Sequence, residues 1–187
     1  MKGLKKGVED MEFYDVIKTR RSVRRFLKKA IAGDVLERVL EAARIAPSGN
    51  DRQPWRFVIV KDEKRKKDIA SACYEQDFVA EAPVAIVCCS IKCSSGYEPW
   101  GDEAGRRDTV IATDHLILAA RNEGLATCWV GAIHDRQVKK IVNVPDDVDV
   151  VMVVPIGYPA SRTAFREASG RRRLKDICFF EEYGRKE

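Results

Sequence analysis

APSGNDRQPWRFVIV, residues 46–60, is the stretch that decides the fold of this chain. Pro47 ends a preceding helix, because the residue before a proline disfavours helical geometry. The stretch from Pro47 to Pro54 is dense in turn-forming residues and predicts a loop. Trp55–Val60 alternates in polarity and is rich in β-forming residues, so it predicts a strand. The chain therefore passes here from a helix, through a polar loop, into a sheet.

The segments on either side alternate between helical and extended patterns. An apolar stripe with helical spacing follows Gly33-Asp34 and predicts a helix. Further helices are predicted over 12–19, 62–73, 106–122 and 136–143, further strands over 84–90, 126–131 and 149–156, and a loop over 91–105. This order predicts an α/β (α+β) fold in which helices enclose a central mixed sheet, with residues 1–187 forming a single domain.

Length and composition indicate a compact protein without a membrane segment. The chain has 187 residues, of which 45% are hydrophobic and 34% charged, enough for one sizeable core. No apolar run approaches the ~18 residues that a membrane span needs. Residues 1–10 are charged and lack the apolar region of a secretory signal. We therefore expect a cytoplasmic protein.

Several common site motifs are missing from the sequence. The six cysteines form no CxxC pair and the chain has two histidines, which argues against a metal site and predicts buried, reduced thiols. No GxGxxG follows the first strand, and neither GxxxxGK[ST] nor GxSxG occurs. These absences argue against a Rossmann dinucleotide site, a P-loop and a hydrolase nucleophile elbow.

Positive charge is concentrated in two distant parts of the chain, residues 18–29 and 171–175. The two clusters could converge on one anion, or each could be ordinary solvated surface. Nucleic-acid binding is a rival interpretation. The chain has no helix-turn-helix, RNP-type aromatic motif or zinc module, so we expect no nucleic-acid partner.

Four segments together resemble the FMN-dependent nitroreductase family over about residues 13–183. They are TRRSVRRF (19–26), APSGNDRQPW (46–55), GLATCWVGA (124–132) and PIGYP (155–159) followed by RRR (171–173). The resemblance implies a nitroreductase-like fold with a mostly antiparallel sheet. It also implies a homodimer in which the two subunits exchange their C-terminal arms.

The same resemblance implies which residues bind the cofactor. Arginines bind phosphate through charge-assisted and often bidentate hydrogen bonds. The first and last segments would hold the phosphate, the loop would reach the flavin of the partner subunit, and the third segment would approach the ring. The implied FMN-binding residues are Arg20, Arg21, Ser22, Arg24, Pro47, Ser48, Gly49, Asn50, Asp51, Gln53, Trp129, Val130, Gly131, Ala132, Arg171 and Arg173.

One position departs from the family pattern. Family members usually carry asparagine where this chain has Asp51. Either Asn50 replaces it at the pyrimidine edge of the flavin, or Asp51 accepts a hydrogen bond from flavin N3–H. An ionised carboxylate there would oppose negative charge on the reduced ring, so we expect a lowered flavin potential.

The activity implied by the resemblance is a ping-pong reaction. NADH or NADPH would deliver a hydride to the flavin, and a small electron-poor acceptor, nitroaromatic or quinone-like, would then take the electrons. No catalytic side chain is expected, because the flavin carries the hydride. The alternative is a flavin-binding carrier or sensor without turnover. The family also includes reductive dehalogenation of iodotyrosine and oxygen-dependent fragmentation of flavin.

Overall fold

A four-stranded sheet of order β1-β2-β4-β3 lies at the centre of the structure, a computed structural model that describes residues 11–92 and 101–186. The strands are β1 Trp55–Val60, β2 Val84–Ile91, β3 Ala126–Thr127 and β4 Val148–Gly157. All three strand pairs are antiparallel, and an isolated parallel bridge joins Ser22 to Thr127. The charged segment 1–10 and most of the expected 91–105 loop lie outside the described residues.

Helices cover both faces of this sheet. They are α1 Phe13–Thr19, α2 Gly33–Arg44, α3 Glu63–Ala72, α4 Phe78–Glu81, α5 Gly101–Asn122, α6 Asp135–Val142 and α7 Leu174–Ile177, with short 3-10 turns at Gly49–Asp51 and Arg162–Phe165. None of the helices described within 11–92 and 101–186 combines the length and apolar character that a membrane crossing requires. The predicted architecture, a sheet enclosed by helices, is confirmed.

The two cores lie on opposite faces of β2. Ile86 and Cys88 face the core that contains α2 and α5, whereas Val87 and Cys89 face the core that contains α3 and α6. Successive side chains of a strand point to opposite faces, so a strand covered on both faces is apolar throughout. Burial raises the pKa of the Cys88 thiol to about 12, as expected for a thiol that packs as a small apolar side chain.

Two elements differ in length from the sequence prediction by more than two residues. The long helix begins at Gly101 and not at Arg106, because two acidic residues in its first turn favour the positive end of the helix dipole. An ion pair of 3.2 Å between Glu103 and Arg107 adds to this turn. The helix ends as predicted, with Gly124 in a left-handed conformation after its last turn.

The third strand is shorter than the predicted 126–131 and ends at Thr127. The amide of Cys128 still donates to the carbonyl of Pro155 at 3.3 Å. Pro155 has no N–H with which to return the bond, so the ladder with β4 is interrupted. Val130 then makes an isolated bridge to Val153.

An extended segment, residues 20–27, runs beside the end of the sheet. The amide of Val23 donates to the carbonyl of Thr127 at 2.9 Å. The amide of Leu27 donates to the carbonyl of Tyr158 at 2.8 Å. The first, third and fourth sequence motifs are therefore neighbours in space.

Candidate functional site

Three polar side chains of the extended segment gather around the thiol of Cys128. The thiol itself donates to the carbonyl of Trp129 at 3.9 Å, and Ser22, Arg20 and Arg24 act on it electrostatically. Burial raises the pKa of Cys128, and Arg24, the Ser22 hydroxyl and Arg20 oppose that rise. Side chains two residues apart in an extended segment share a face, which explains why these three meet.

Arg21 points to the other side of the segment. Its guanidinium donates to the carbonyl of Lys18 at 2.8 Å and to that of Arg20 at 2.5 Å, so it caps the end of α1. Burial, followed by the nearby charges of Arg171, Arg20 and Arg166, lowers its pKa, and Glu167 acts in the opposite direction. Arg21 is therefore held where positive charge is crowded.

Both basic clusters of the sequence line one open groove of about 740 Å³, here called the arginine groove. Its charged lining residues are Lys18, Arg20, Arg21, Arg171, Asp114 and Glu167, and the others include Phe13, Ile17, His115 and Leu118. In the part of the chain that the structure describes, no ion pair joins a cation of the groove to Asp114 or Glu167. Unpaired positive charge of this kind attracts anions.

Arg171, and not Arg173, enters the arginine groove. The Arg173 guanidinium pairs instead with Asp176 at 3.0 Å, at the start of α7. Both side chains of this pair are largely exposed, at 70% and 40% of their surface. The pair has two hydrogen bonds, of 3.0 and 3.2 Å, but exposed ion pairs contribute only about 0–1 kcal/mol to stability, so an anion can compete for Arg173.

The loop between α2 and β1 is held by side-chain hydrogen bonds. The Gly49 amide donates to the Asp108 carboxylate of α5 at 3.2 Å. The Gln53 amide donates to Ser48 Oγ at 2.9 Å, and Gln53 Nε2 donates to Asp51 Oδ1 at 3.1 Å. The Asp51 carboxylate thus already has a partner within its own loop.

The same loop has an unusual backbone. Asn50, Asp51 and Gln53 have φ of +49°, +53° and +50°, a region that non-glycine residues rarely occupy. Each such residue costs of order 1–3 kcal/mol and persists only where its surroundings enforce it, which is a frequent property of functional loops. Pro47, Asn50, Asp51 and Gln53 are exposed, and Ser48 and Gly49 are half-buried.

The third motif emerges from the sheet beside the extended segment. Val130 is buried and its amide donates to the carbonyl of Val153 at 3.0 Å, whereas Gly131 and Ala132 are exposed. Apart from Gly131 and its two chain neighbours, no residue has an atom within 4 Å of the point where a Gly131 side chain would begin. Trp129 is half-buried against the core. A planar ligand could approach the backbone at Gly131.

Some residues near the site carried no signal in the sequence. Asp108 and His115 lie on α5, where the sequence shows an ordinary buried helix, and only the fold brings them to the loop and the groove. Trp55 is buried against Ala46 and Ala112, so it packs in the core.

Comparison with known proteins decides the family. The model of the nitroreductase family matches residues 17–90 and 70–158 of this chain. The chain belongs to the nitroreductase family.

Relatives of this nitroreductase-family chain differ in their named activities. A protein of Methanothermobacter thermautotrophicus, named as an inferred NADH dehydrogenase/NAD(P)H nitroreductase, is 31% identical over 168 residues, covering 86% of this chain and 84% of the relative. An iodotyrosine deiodinase of Thermotoga neapolitana is 32% identical over 171 residues, covering 78% and 88%. The crystal structure of a nitroreductase family protein from Clostridium novyi NT superposes with a TM-score of 0.76 at 30% identity, covering 94% and 97%.

Proposed function

We propose that this member of the nitroreductase family is an FMN-dependent oxidoreductase. As a homodimer, it would use NADH or NADPH to reduce a small electron-poor acceptor in a ping-pong reaction. The observation that carries the proposal is the meeting of Arg20 and Arg171, from opposite ends of the chain, in one groove where neither forms an ion pair with a described carboxylate.

The donors in and beside the groove suit a phosphomonoester. Arg20 and Arg171 would form charge-assisted hydrogen bonds to its oxygens, and the Ser22 hydroxyl would add a neutral one. Arg21 would contribute its positive charge from the end of α1. Arg173 would join them by exchanging Asp176 for the phosphate, since their ion pair is exposed.

The remaining motifs would serve the ring of the flavin. Bound FMN supplies the redox chemistry, taking a hydride from the nicotinamide and passing electrons to the acceptor. The open space at Gly131 would let the ring approach the backbone of residues 129–132. The loop with Pro47, Ser48 and Gly49 would cover the flavin of the partner subunit and orient its pyrimidine edge through Asn50 or Asp51.

Exposed apolar side chains support the homodimer. Phe13 and Ile45 are 64% and 63% exposed, and Leu174 and Tyr183 in the C-terminal arm are 73% and 94% exposed. Large apolar side chains such as these are stabilised when a partner removes them from water. β1 is an edge strand of the described sheet, paired with β2 alone, and such edges are usually covered. An arm from the partner subunit would cover this surface.

A second candidate activity is reductive dehalogenation of an iodotyrosine-like aromatic. The relative named iodotyrosine deiodinase, at 32% identity, favours it. It would use the same flavin and the same reducing equivalents and would differ in the acceptor.

Absorption spectroscopy of the purified protein tests the proposal directly. We expect a yellow protein that binds FMN at micromolar concentration, sediments as a dimer, and loses its flavin absorbance when NADH or NADPH is added without oxygen. Adding a nitroaromatic, a quinone or an iodotyrosine to the reduced protein should restore the absorbance and identify the acceptor class. Failure to bind FMN would overturn the proposal. Binding without bleaching by either nicotinamide would indicate a carrier or sensor.

A further inference from the structure

Arg121, in the last turn of α5, bridges two segments that are distant in sequence. Its Nε donates to Thr19 Oγ1 at 2.9 Å. Its guanidinium carbon also lies 4.0 Å from the centre of the Phe165 ring, within the range of a cation–π contact. One half-buried side chain thus contacts both the end of α1 and the turn at Arg162–Phe165.

Both contact points lie shortly before a basic segment of the arginine groove. Thr19 is followed at once by Arg20, and Phe165 precedes Arg171 along the segment that also brings Glu167 and Ala168 to the groove. A shift of either contact point would move the arginine that follows it.

Thr19 is itself fixed at the point where the chain leaves α1. Its hydroxyl donates to the carbonyl of Asp15 at 2.5 Å and accepts from Arg121. The next amide, that of Arg20, donates to the carbonyl of Val16 at 2.9 Å. The direction in which Arg20 leaves the helix therefore depends on a hydroxyl that Arg121 holds.

Phe165 holds the second segment in a similar way. Its ring packs against the small core formed by Val23, Phe26, Ala82 and Ala126. The guanidinium of Arg121 lies over the same ring. The segment leading to Arg171 is therefore anchored both to the core and to α5.

The partners of Arg121 are unusual for a partly buried guanidinium. Burial lowers its pKa, and among residues 11–92 and 101–186 no carboxylate forms an ion pair with it. Arg38 provides a contrast, since its guanidinium forms two hydrogen bonds of 2.9 and 2.7 Å with the Glu123 carboxylate near the same end of α5. Arg38 is neutralised by its partner, and Arg121 keeps its positive charge.

We propose that Arg121 is a positioning residue for the phosphate end of FMN. It sets the separation between the turn before Arg20 and the segment before Arg171, so that both guanidinium groups reach one phosphate. This inference rests on the proposed FMN site. It concerns the phosphate alone, because both contacts of Arg121 lead to residues of the arginine groove.

Comparing FMN with riboflavin, which lacks the phosphate, tests this role. We expect Arg121→Met to bind FMN about 10-fold more weakly than the wild-type protein does. Its affinity for riboflavin should stay within about twofold of the wild-type value. Both affinities are measured by quenching of flavin fluorescence, and thermal unfolding verifies the fold. Equal weakening of FMN and riboflavin, or no change in either, would overturn the inference. If the unchanged protein binds no FMN, the proposed function itself fails.

Variants of the two partners make the test independent of the folding of Arg121→Met. Thr19→Val removes the hydroxyl and should reduce the preference for FMN over riboflavin, and Thr19→Ser should restore it. The double variant Thr19→Val/Arg121→Met should bind FMN no more weakly than Arg121→Met, because the two residues act through one contact. Arg38→Met is the matched control and should leave the preference unchanged. A loss of preference in Arg38→Met as large as in Arg121→Met would contradict a specific role for Arg121.

Discussion

Two basic regions of this protein contain the same numbers of positive and negative side chains but differ in how those side chains are paired. The first is the arginine groove. The second, here called the lysine pocket, is a cavity of about 450 Å³ near the start of β2, whose charged lining residues are Lys28, Lys29, Lys61, Lys66, Glu63 and Glu81. Each region contains four cationic and two acidic side chains. By composition alone, the two regions would be equal candidates for binding an anion.

The difference lies in how the charges are paired. Lys66 is 1% exposed, and its ammonium donates to the carbonyl of Ala82 at 2.6 Å and pairs with Glu63 at 2.9 Å. The hydrogen bond from Lys66 lowers the pKa of the Glu63 carboxyl more than any other nearby group does. In the arginine groove, burial and neighbouring arginines lower the pKa of Arg21, and no carboxylate pairs with it among the described residues. One buried cation of the lysine pocket is therefore neutralised by a carboxylate, whereas no cation of the arginine groove forms an ion pair with a carboxylate among the described residues.

The largest expected effect is in the arginine groove. Arg20→Ala should weaken FMN binding about 100-fold, since a charge-assisted contact contributes about 1.5–3 kcal/mol and each tenfold is 1.4 kcal/mol. Titration of flavin fluorescence measures it. The matched control, Lys28→Ala/Lys61→Ala, removes two cations from the lysine pocket and should change FMN affinity less than about twofold. Similar losses in both variants would show that net charge, and not its pairing, marks the site.

The next effect is expected in the lysine pocket, where a substitution should change stability and not FMN binding. Lys66→Met should lower the free energy of unfolding by about 2 kcal/mol, because the carbonyl of Ala82 loses its donor in a buried position. FMN affinity should remain unchanged. Urea denaturation measures the loss, with Lys67→Met, at an exposed position of the same helix, as a control expected within about 0.5 kcal/mol. A weakened FMN affinity in Lys66→Met would place the lysine pocket in the site.

The smallest expected effect concerns the Asp51 carboxylate and the midpoint potential of the bound flavin. Asp51→Asn should raise the midpoint potential of bound FMN by about 30 mV, equivalent to about 1.4 kcal/mol for a two-electron couple, because a carboxylate opposes charge on the reduced ring. Redox titration with a reference dye measures it. Asp135→Asn, at an exposed position of α6, is the control and should leave the potential unchanged. No rise in Asp51→Asn would assign the pyrimidine edge to Asn50.

Local sequence patterns predicted most of the fold. β1 occupies the predicted residues 55–60, and the helix with the apolar stripe after Gly33 runs to Arg44. These patterns are local, since periodicity and turn residues act within a few positions. β3 was predicted too long because its end depends on Pro155, which is distant in sequence and lacks the N–H that the ladder needs.

The site was only partly predictable. The resemblance implied that the basic clusters at the two ends of the chain share one phosphate site, and the structure places Arg20 and Arg171 in one groove. It did not reveal that Arg21 caps α1 or that Arg173 pairs with Asp176. Asp108 and Arg121 had no sequence signal, because each acts on a residue more than fifty positions away.

The sequence by itself determined the order of helices and strands and the supply of positive charge, because these follow from residue type and short-range spacing. Only the tertiary structure decided which charges are neutralised and which remain free for an anion. The physical reason is that an ion pair requires its groups to lie within about 4 Å of each other. That distance depends on how segments far apart in the chain are packed together.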